Sequence, residues 1–253
     1  MNQSLPAIEV KNLTVRYGNY TVLDDISFEV HPGEIFVVLG GSGCGKTTLL
    51  KHMIGLRRPE AGHIFFEGEE ITFADEFQLE RFHRKFGVLF QSGALLGSLT
   101  LGENVALPLT ETSGLSEKLV DELVRMKLAL VGLSGKENLL PGELSGGMKK
   151  RGGLARAIAL DPQILFFDEP SAGLDPITQA ELDNLIIELN RNLGTTMVVV
   201  THELQSIFKI SHRVIMLDKD THKIIAEGRP QDLRDSSDNP RVKAFFRREL
   251  CPE

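Results

Sequence analysis

Residues 40–47, Gly40-Gly41-Ser42-Gly43-Cys44-Gly45-Lys46-Thr47, keep the spacing GxxxxGK[ST]. Glycines at such positions let the backbone turn tightly and set successive N–H groups against phosphate oxygens. Lys46 is long enough to reach the β- and γ-phosphates of a nucleotide, and the Thr47 hydroxyl is a ligand type for Mg²⁺. Thr48 carries the loop into a helix whose positive end faces the same anion. These residues can bind Mg-ATP and present it for hydrolysis. Cys44 adds a thiol inside the loop. A thiol near a helix N-terminus can be acidified, although a small residue that merely fits the turn is the simpler reading.

A second cluster is Ile164-Leu165-Phe166-Phe167-Asp168-Glu169, an apolar run closed by two acids. In open α/β sheets ligands sit at the C-terminal ends of the strands, where carboxylates are tolerated. Asp168 can hold Mg²⁺, directly or through water. Glu169 beside the γ-phosphate can polarise an attacking water as general base. Alone, two acids after a strand also describe a solvated turn; the glycine loop upstream gives them a common ligand.

A phosphate loop needs a strand before it and a helix after it. Ile35–Leu39 is wholly apolar, as expected of a strand buried on both faces, and residues 46–55 read as helix. Residues 8–16 and 21–30 read as strands joined by the turn Tyr17-Gly18-Asn19-Tyr20. Segments 64–66 and 86–90 are further strands. Residues 101–161 become mainly helical. There Ser116 is a cap residue, Leu115 and Val120 can form a hydrophobic staple, and Val120, Leu123, Val124, Leu128 and Val131 share one helix face. Apolar strand runs return at 164–167, 196–200 and 214–217. The alternation predicts an α/β fold with a mainly parallel sheet covered on both faces.

The chain has 253 residues, enough for one large domain with an inserted lobe. Its net charge of −7 argues against a nucleic-acid partner. Two cysteines, Cys44 and Cys251, cannot build a disulfide framework and fit a reducing cytosolic compartment. Residues 1–6 lack a secretory pattern. No apolar run approaches the ~18 residues that span a bilayer, so a membrane role requires a partner chain.

Leu144-Ser145-Gly146-Gly147-Met148 opens a helix that runs through Arg151 and Ala155-Arg156-Ala157 towards Asp161-Pro162 and the Asp168-Glu169 strand. This resembles the signature motif and following helix of ATP-binding cassette (ABC) ATPases, and the resemblance covers nearly the whole chain. It implies a P-loop NTPase fold with an N-terminal antiparallel β subdomain and an inserted α-helical subdomain. The expected partition is a core at 1–92 and 160–230, a helical subdomain at 93–159 and a tail at 231–253. Residue by residue, the resemblance makes Tyr17, in preference to Tyr20, the aromatic that stacks on adenine. Gln91 becomes the glutamine that touches Mg²⁺ and senses the membrane partner. Asp175 lies in a loop, 171–175, that crosses a dimer interface, and His202 is the switch histidine that holds the γ-phosphate. Ser145, Gly146 and Gly147 of one subunit would meet the nucleotide held by another, so a second copy of the chain is the implied partner. Met148 departs from the commonest glutamine, and Gly152-Gly153 sits inside the signature helix, where each glycine costs ~1 kcal/mol relative to alanine.

The stretch from Phe90-Gln91 through Ser98-Leu99-Thr100 to Glu103-Asn104-Val105-Ala106-Leu107-Pro108-Leu109 is similar to the ATPases of MCE-type (Mla-like) bacterial lipid transporters. That branch implies an integral membrane permease, an MCE-type lipid-binding protein, and a cytoplasmic subunit peripheral to the inner membrane. The apolar residues after Gln91 either face the permease or pack as core. The alternatives are an ABC transporter ATPase for another solute, or a soluble ABC ATPase acting on nucleic acid or ribosomes. In the tail, Asn239 can cap a helix that starts at Pro240. Val242, Phe245, Phe246 and Leu250 on one face would dock either on a partner subunit or on the chain's own domain.

Overall fold

Alternating burial builds the first sheet. In the computed structural model, which describes residues 5–249, β1 (Ile8–Tyr17) and β2 (Tyr20–Val30) form an antiparallel hairpin with Val10 opposite Phe28. Ile8 and Val10 are buried, and so are Leu13 and Val15. A period of two would put these pairs on opposite faces. The register shift between Val10 and Leu13, with Asn12 at φ 48°, returns both to one face. After β3 (Ile35–Leu39) and α1 (Lys46–Met53), β4 (Ala61–Phe66) pairs antiparallel with β1, and the short β5 (Glu69–Glu70) follows it. Helix α2 (Glu76–His83) starts at Asp75, which exchanges hydrogen bonds with Gln78 at 2.8 and 3.0 Å. Neither β5 nor α2 is announced by hydrophobic periodicity.

Residues 83–195 form a unit of their own, and residues 1–82 with 196–253 form the other. This division differs from the expected partition. Residues 83–92 and 160–195 group with the helices, and the tail groups with the first unit. In the unit 83–195, β6 (Phe86–Leu89) and β7 (Ile164–Asp168) are parallel, with Val88 opposite Phe166. Helix α3 (Leu101–Thr112) begins at a reciprocal cap. The Thr100 hydroxyl accepts the Glu103 N–H at 3.2 Å, and the Glu103 carboxylate accepts the Thr100 N–H at 2.7 Å. Helix α4 (Glu117–Leu130) starts after Ser116 as expected, but the Ser116 side chain makes no cap bond. Leu115 is exposed while Val120 is buried, so the expected staple does not form. Val120, Val124, Leu128 and Val131 are buried together, joined by Lys127, whose ammonium pairs with Asp161. Helix α5 (Gly146–Ala157) precedes β7. Helix α6 (Pro176–Leu193) is capped by the Asp175 carboxylate, which accepts the N–H groups of Ile177 and Thr178 at 3.0 and 3.1 Å.

The chain then returns to the first unit. β8 (Thr196–Val200), α7 (Leu204–Ile210) and β9 (Arg213–Leu217) follow, with β8 and β9 parallel to β3 on either side. Val37 lies opposite both Val199 and Val214, and all five residues of β3 are buried. β10 (Ile224–Gly228) closes that edge antiparallel to β9. Among the described residues no helix is long and apolar enough to cross a membrane.

The tail forms two helices, α8 (Pro230–Ser236) and α9 (Pro240–Arg247). Asn239 caps α9 as expected, its side chain accepting the Arg241 N–H at 2.9 Å. Val242, Ala244 and Phe246 are buried, and the Phe246 ring meets Phe208 of α7 at 5.5 Å. The Arg241 guanidinium donates to Asp218 at 2.5 Å and lies 2.8 Å from Asp220. This apolar face is therefore spent on the chain's own domain, while Leu250, Cys251 and residues 1–4 lie outside the described residues.

Burial alone would raise the Asp218 carboxyl, but hydrogen bonds from Thr221 and Arg241 outweigh it and hold the group below the ordinary carboxylate range. A depressed carboxyl stabilises the fold above its unfolded pKa and loses that contribution as pH falls below it. The attachment of α9 is thus expected to hold at neutral pH and to weaken below about pH 4. Arg241→Ala should loosen α9 at pH 7 by on the order of 1 kcal/mol. Amide hydrogen exchange across 240–247 checks both, and unchanged protection in the variant would refute the anchor.

Candidate functional site

The phosphate loop lies where the sequence predicts, between β3 and α1. Gly40 has φ 148°, and a Cβ there would stand 2.4 Å from the Leu217 carbonyl oxygen and 2.6 Å from the Cys44 sulfur, so only glycine fits. Gly41, Ser42 and Gly43 are exposed. Gly45 stands at the start of α1 and provides no side-chain cap, and the first turn carries no acid. The positive end of α1 therefore keeps its field for an external anion. The Lys46 ammonium is folded over this loop, donating to the Gly40 and Gly41 carbonyls at 2.8 and 3.1 Å. Thr47 and Thr48 are half-buried beside it. Cys44 takes the simpler of its two readings, a small residue that fits the turn. Its side chain is buried, and burial pushes the thiol above its ordinary pKa despite the lowering influence of Lys46. An acidified thiol at the helix start does not form, because the sulfur points into the core.

Two further site candidates belong to the same unit. Tyr17 is 44% exposed, and the Arg57 guanidinium lies over its ring at 5.5 Å from the centroid. Tyr20, its competitor, is engaged edge-on with the His222 ring at 5.7 Å. His202 follows β8 directly after the fully buried Thr201, and its Nε2 lies 3.6 Å from a Glu203 carboxylate oxygen.

In the unit 83–195, Asp168 ends β7 and is buried, while Glu169 is half-buried with φ 47°. A non-glycine residue held in the left-handed region costs about 1–2 kcal/mol. The peptide is held from α5: the buried Lys150 donates to the Glu169 carbonyl at 3.4 Å and to the Gln91 carbonyl. Burial pushes the Lys150 ammonium below its ordinary value, while the Glu169 and Asp168 carboxylates pull it back up. Gln91 itself is exposed, just after β6.

Helix α5 starts at Ser145, whose hydroxyl accepts the Met148 N–H at 3.2 Å. Ser145 and Gly146 are exposed and Gly147 is half-buried. The paired glycines inside the helix have a packing cause. A Cβ on Gly153 would stand 2.7 Å from the Gly93 carbonyl oxygen, and one on Gly152 would stand 2.6 Å from Leu101. This close approach brings Arg156 to the Gly93 carbonyl at 3.2 Å and to the Asn104 side chain at 3.4 Å. Asn104 is fully buried, accepts the Leu96 N–H at 2.8 Å, and donates to the carbonyls of Leu96, Leu99 and Thr100. Lys150, Arg156 and Asn104 thus fix the segment 91–100. Sequence reading missed all three. For Lys150 the legible signal was a cation on a face shared with Gly153, Leu154 and Ala157.

The donor types in each unit suit the expected ligands. Thr47 in the first unit offers a hydroxyl oxygen, and Asp168 and Gln91 in the unit 83–195 offer carboxylate and amide oxygens, each of the hard type that Mg²⁺ takes alongside substrate phosphates. Lys46 and the exposed loop 41–43 at an acid-free helix start suit a polyphosphate.

The family model described as ABC transporter matches residues 23–172, a span that includes the phosphate loop, Gln91, Ser145–Gly147 positions and both acids. The chain is 44% identical over 250 residues to the intermembrane phospholipid transport system ATP-binding protein MlaF of Haemophilus influenzae, covering 98% of this chain and 92% of that one. It is 43% identical over 240 residues to the probable ribonucleotide transport ATP-binding protein mkl of Mycobacterium leprae, covering 95% of this chain and 68% of that one. Among solved structures, a dimeric post-hydrolysis state of the ATP-binding cassette MJ0796 bound to ADP and Pi superposes with a TM-score of 0.80 at 30% identity, over 88% of this chain and 98% of that one.

Replacing Gly153 by alanine should destabilise the protein. Overpacking costs about 1–3 kcal/mol, against a helix-propensity gain of about 1 kcal/mol. Urea titration reads the net loss, and an unchanged or raised midpoint would contradict the close approach. Cys44 should react with iodoacetamide far more slowly in the folded chain than in urea, as followed by intact mass.

Proposed function

The chain belongs to the ABC transporter family of ATP-binding cassettes, and from that premise we propose that it is the ATPase motor of a complex moving phospholipid between the inner and outer membranes. One observation carries the lipid reading. The MlaF relative matches at 44% identity along nearly the full length of both chains, whereas the similarly identical mkl protein extends well beyond the match. The stretch from Phe90 to Leu109 supports the same branch through its sequence, which is similar to that of the MCE-type transport ATPases.

Within this reading Lys46 and the N–H groups of 40–48 bind the phosphates, and Tyr17 stacks on the base. Thr47, Asp168 and Gln91 hold Mg²⁺, which when bound offsets the charge of the phosphates. Glu169 polarises the attacking water, and its unusual backbone fixes the direction in which its carboxylate approaches. His202 orients the γ-phosphate. The exposed Ser145 and Gly146 support the proposal that this surface completes the nucleotide site of a second copy, with Asp175 at the junction. The dimeric state of the MJ0796 cassette supports the same assembly. The partners proposed are therefore a second copy, an integral membrane permease and an MCE-type lipid-binding protein. The subunit would lie on the cytoplasmic face of the inner membrane and touch it only through those partners.

Lys46→Ala is expected to weaken ATP binding by about 10²-fold, the loss of a charge-assisted contact worth on the order of 3 kcal/mol; a fluorescent ATP analogue measures it. Glu169→Gln should bind ATP normally, lose about 10²–10⁴-fold in kcat and accumulate as an ATP-bound dimer in light scattering. Turnover at the original rate would remove Glu169 from its role. In proteoliposomes holding the complex that co-purifies with the chain, phospholipid transfer should require ATP and stop with Glu169→Gln. A complex that hydrolyses ATP but neither holds nor moves phospholipid would overturn the lipid assignment.

A further inference from the structure

The ammonium of Lys150 is buried, yet it donates to two peptide carbonyls rather than to a carboxylate. A buried cation is costly unless its donors are satisfied. A neutral apolar residue would fill the same volume without that cost, so packing alone does not account for lysine here. The two carbonyls are informative. One belongs to Gln91, at the turn after β6; the other belongs to Glu169, whose backbone is held in the left-handed region. Nothing local in the sequence links positions 91 and 169. They are joined through one side chain on the third helix position after Gly147. The same helix grips the Gln91 segment twice more, through Arg156 on the Gly93 carbonyl and through the contact of Gly153 with that carbonyl. Helix α5 and the segment 91–93 are thus tied together, and Lys150 extends that tie to the Glu169 carbonyl.

We propose that Lys150 is a positioning residue for hydrolysis, coupling the peptide of Gln91 to the peptide of Glu169 so that the carboxylate is correctly aimed only when the Gln91 turn is in place. The proposal rests on the assignment of Glu169 as general base. Lys150 acts on the direction of the carboxylate through the Glu169 backbone carbonyl, while the charge of that carboxylate also acts on the ammonium.

The test uses the full chain in the membrane complex with which it purifies, comparing wild type with Lys150→Met, Lys150→Gln and Glu169→Gln. Methionine keeps the length and removes the donors; glutamine restores N–H donors without the charge. Lys150→Met is expected to lower kcat at least tenfold while KM for ATP and the dissociation constant of a fluorescent ATP analogue stay within twofold. Lys150→Gln should recover a substantial part of kcat. Wild-type kcat in Lys150→Met would overturn the coupling. Equal losses in kcat and ATP affinity would do the same, as would equal damage in both Lys150 variants together with a lowered melting temperature, since each points to a structural role. The Glu169→Gln control separates the two claims. If it retains turnover, the base is misassigned; if it is inactive while Lys150→Met is normal, only the coupling fails.

Discussion

The close approach of helix α5 to the turn at Gly93 is the constraint on which the unit 83–195 depends. A helix and a turn can come this near only where neither carries a side chain, and Gly153 faces the Gly93 carbonyl at a distance that excludes a Cβ. The cost in helix propensity is on the order of 1 kcal/mol per glycine. The return is reach: with the backbones this close, Lys150 and Arg156 contact peptide groups rather than solvent. Asn104 then satisfies the Leu96 N–H and the carbonyls of Leu96, Leu99 and Thr100, which would be expensive to leave unpaired. One steric fact therefore determines the shape of the segment 91–100 and the support beneath Glu169.

The first unit solves a different problem with the same material. At the start of α1 the helix lacks a side-chain cap and an acidic residue, so its positive end remains available, and Lys46 adds a charge folded over the loop. At the start of α5 the Ser145 hydroxyl caps the Met148 N–H while remaining at the surface. Both helix N-termini carry glycine, Gly45 at the cap of α1 and Gly146 as the first residue of α5, yet one is open and the other is closed by a hydroxyl that an anion can compete for. An acidic chain, with net charge −7, can thereby hold a polyanion through local fields rather than global charge.

Much of this was readable in the sequence because it is local. Strand β3 is apolar throughout, and β7 and β8 are apolar but for Asp168 and Thr196; all three are short, which is the mark of burial on both faces, and the phosphate loop is a contiguous spacing. The caps at Asn239 and Ser116 were correctly located as positions, but only Asn239 makes its bond. β5 and α2 carry too few buried residues to produce a periodicity, and Lys127 is hidden inside an apolar helix face that it shares as a charged member. The tail's amphipathic face was legible, but its partner was not, since Phe208 and Asp218 lie more than twenty residues away.

By itself, then, the sequence determined which residues could do the chemistry: Lys46, Thr47, Asp168, Glu169 and the glycines are specified by spacing and type, because contiguous backbone geometry alone makes a phosphate loop or a strand end. Only the tertiary structure decided what holds them. That Cys44 points inward and loses acidity, that Glu169 is strained and that Lys150 joins two segments seventy-eight residues apart (91 and 169) follow from burial and packing between distant elements. Such contacts leave no periodic trace in the chain, because a hydrogen bond to a peptide carbonyl places no requirement on the side chain of the residue that accepts it.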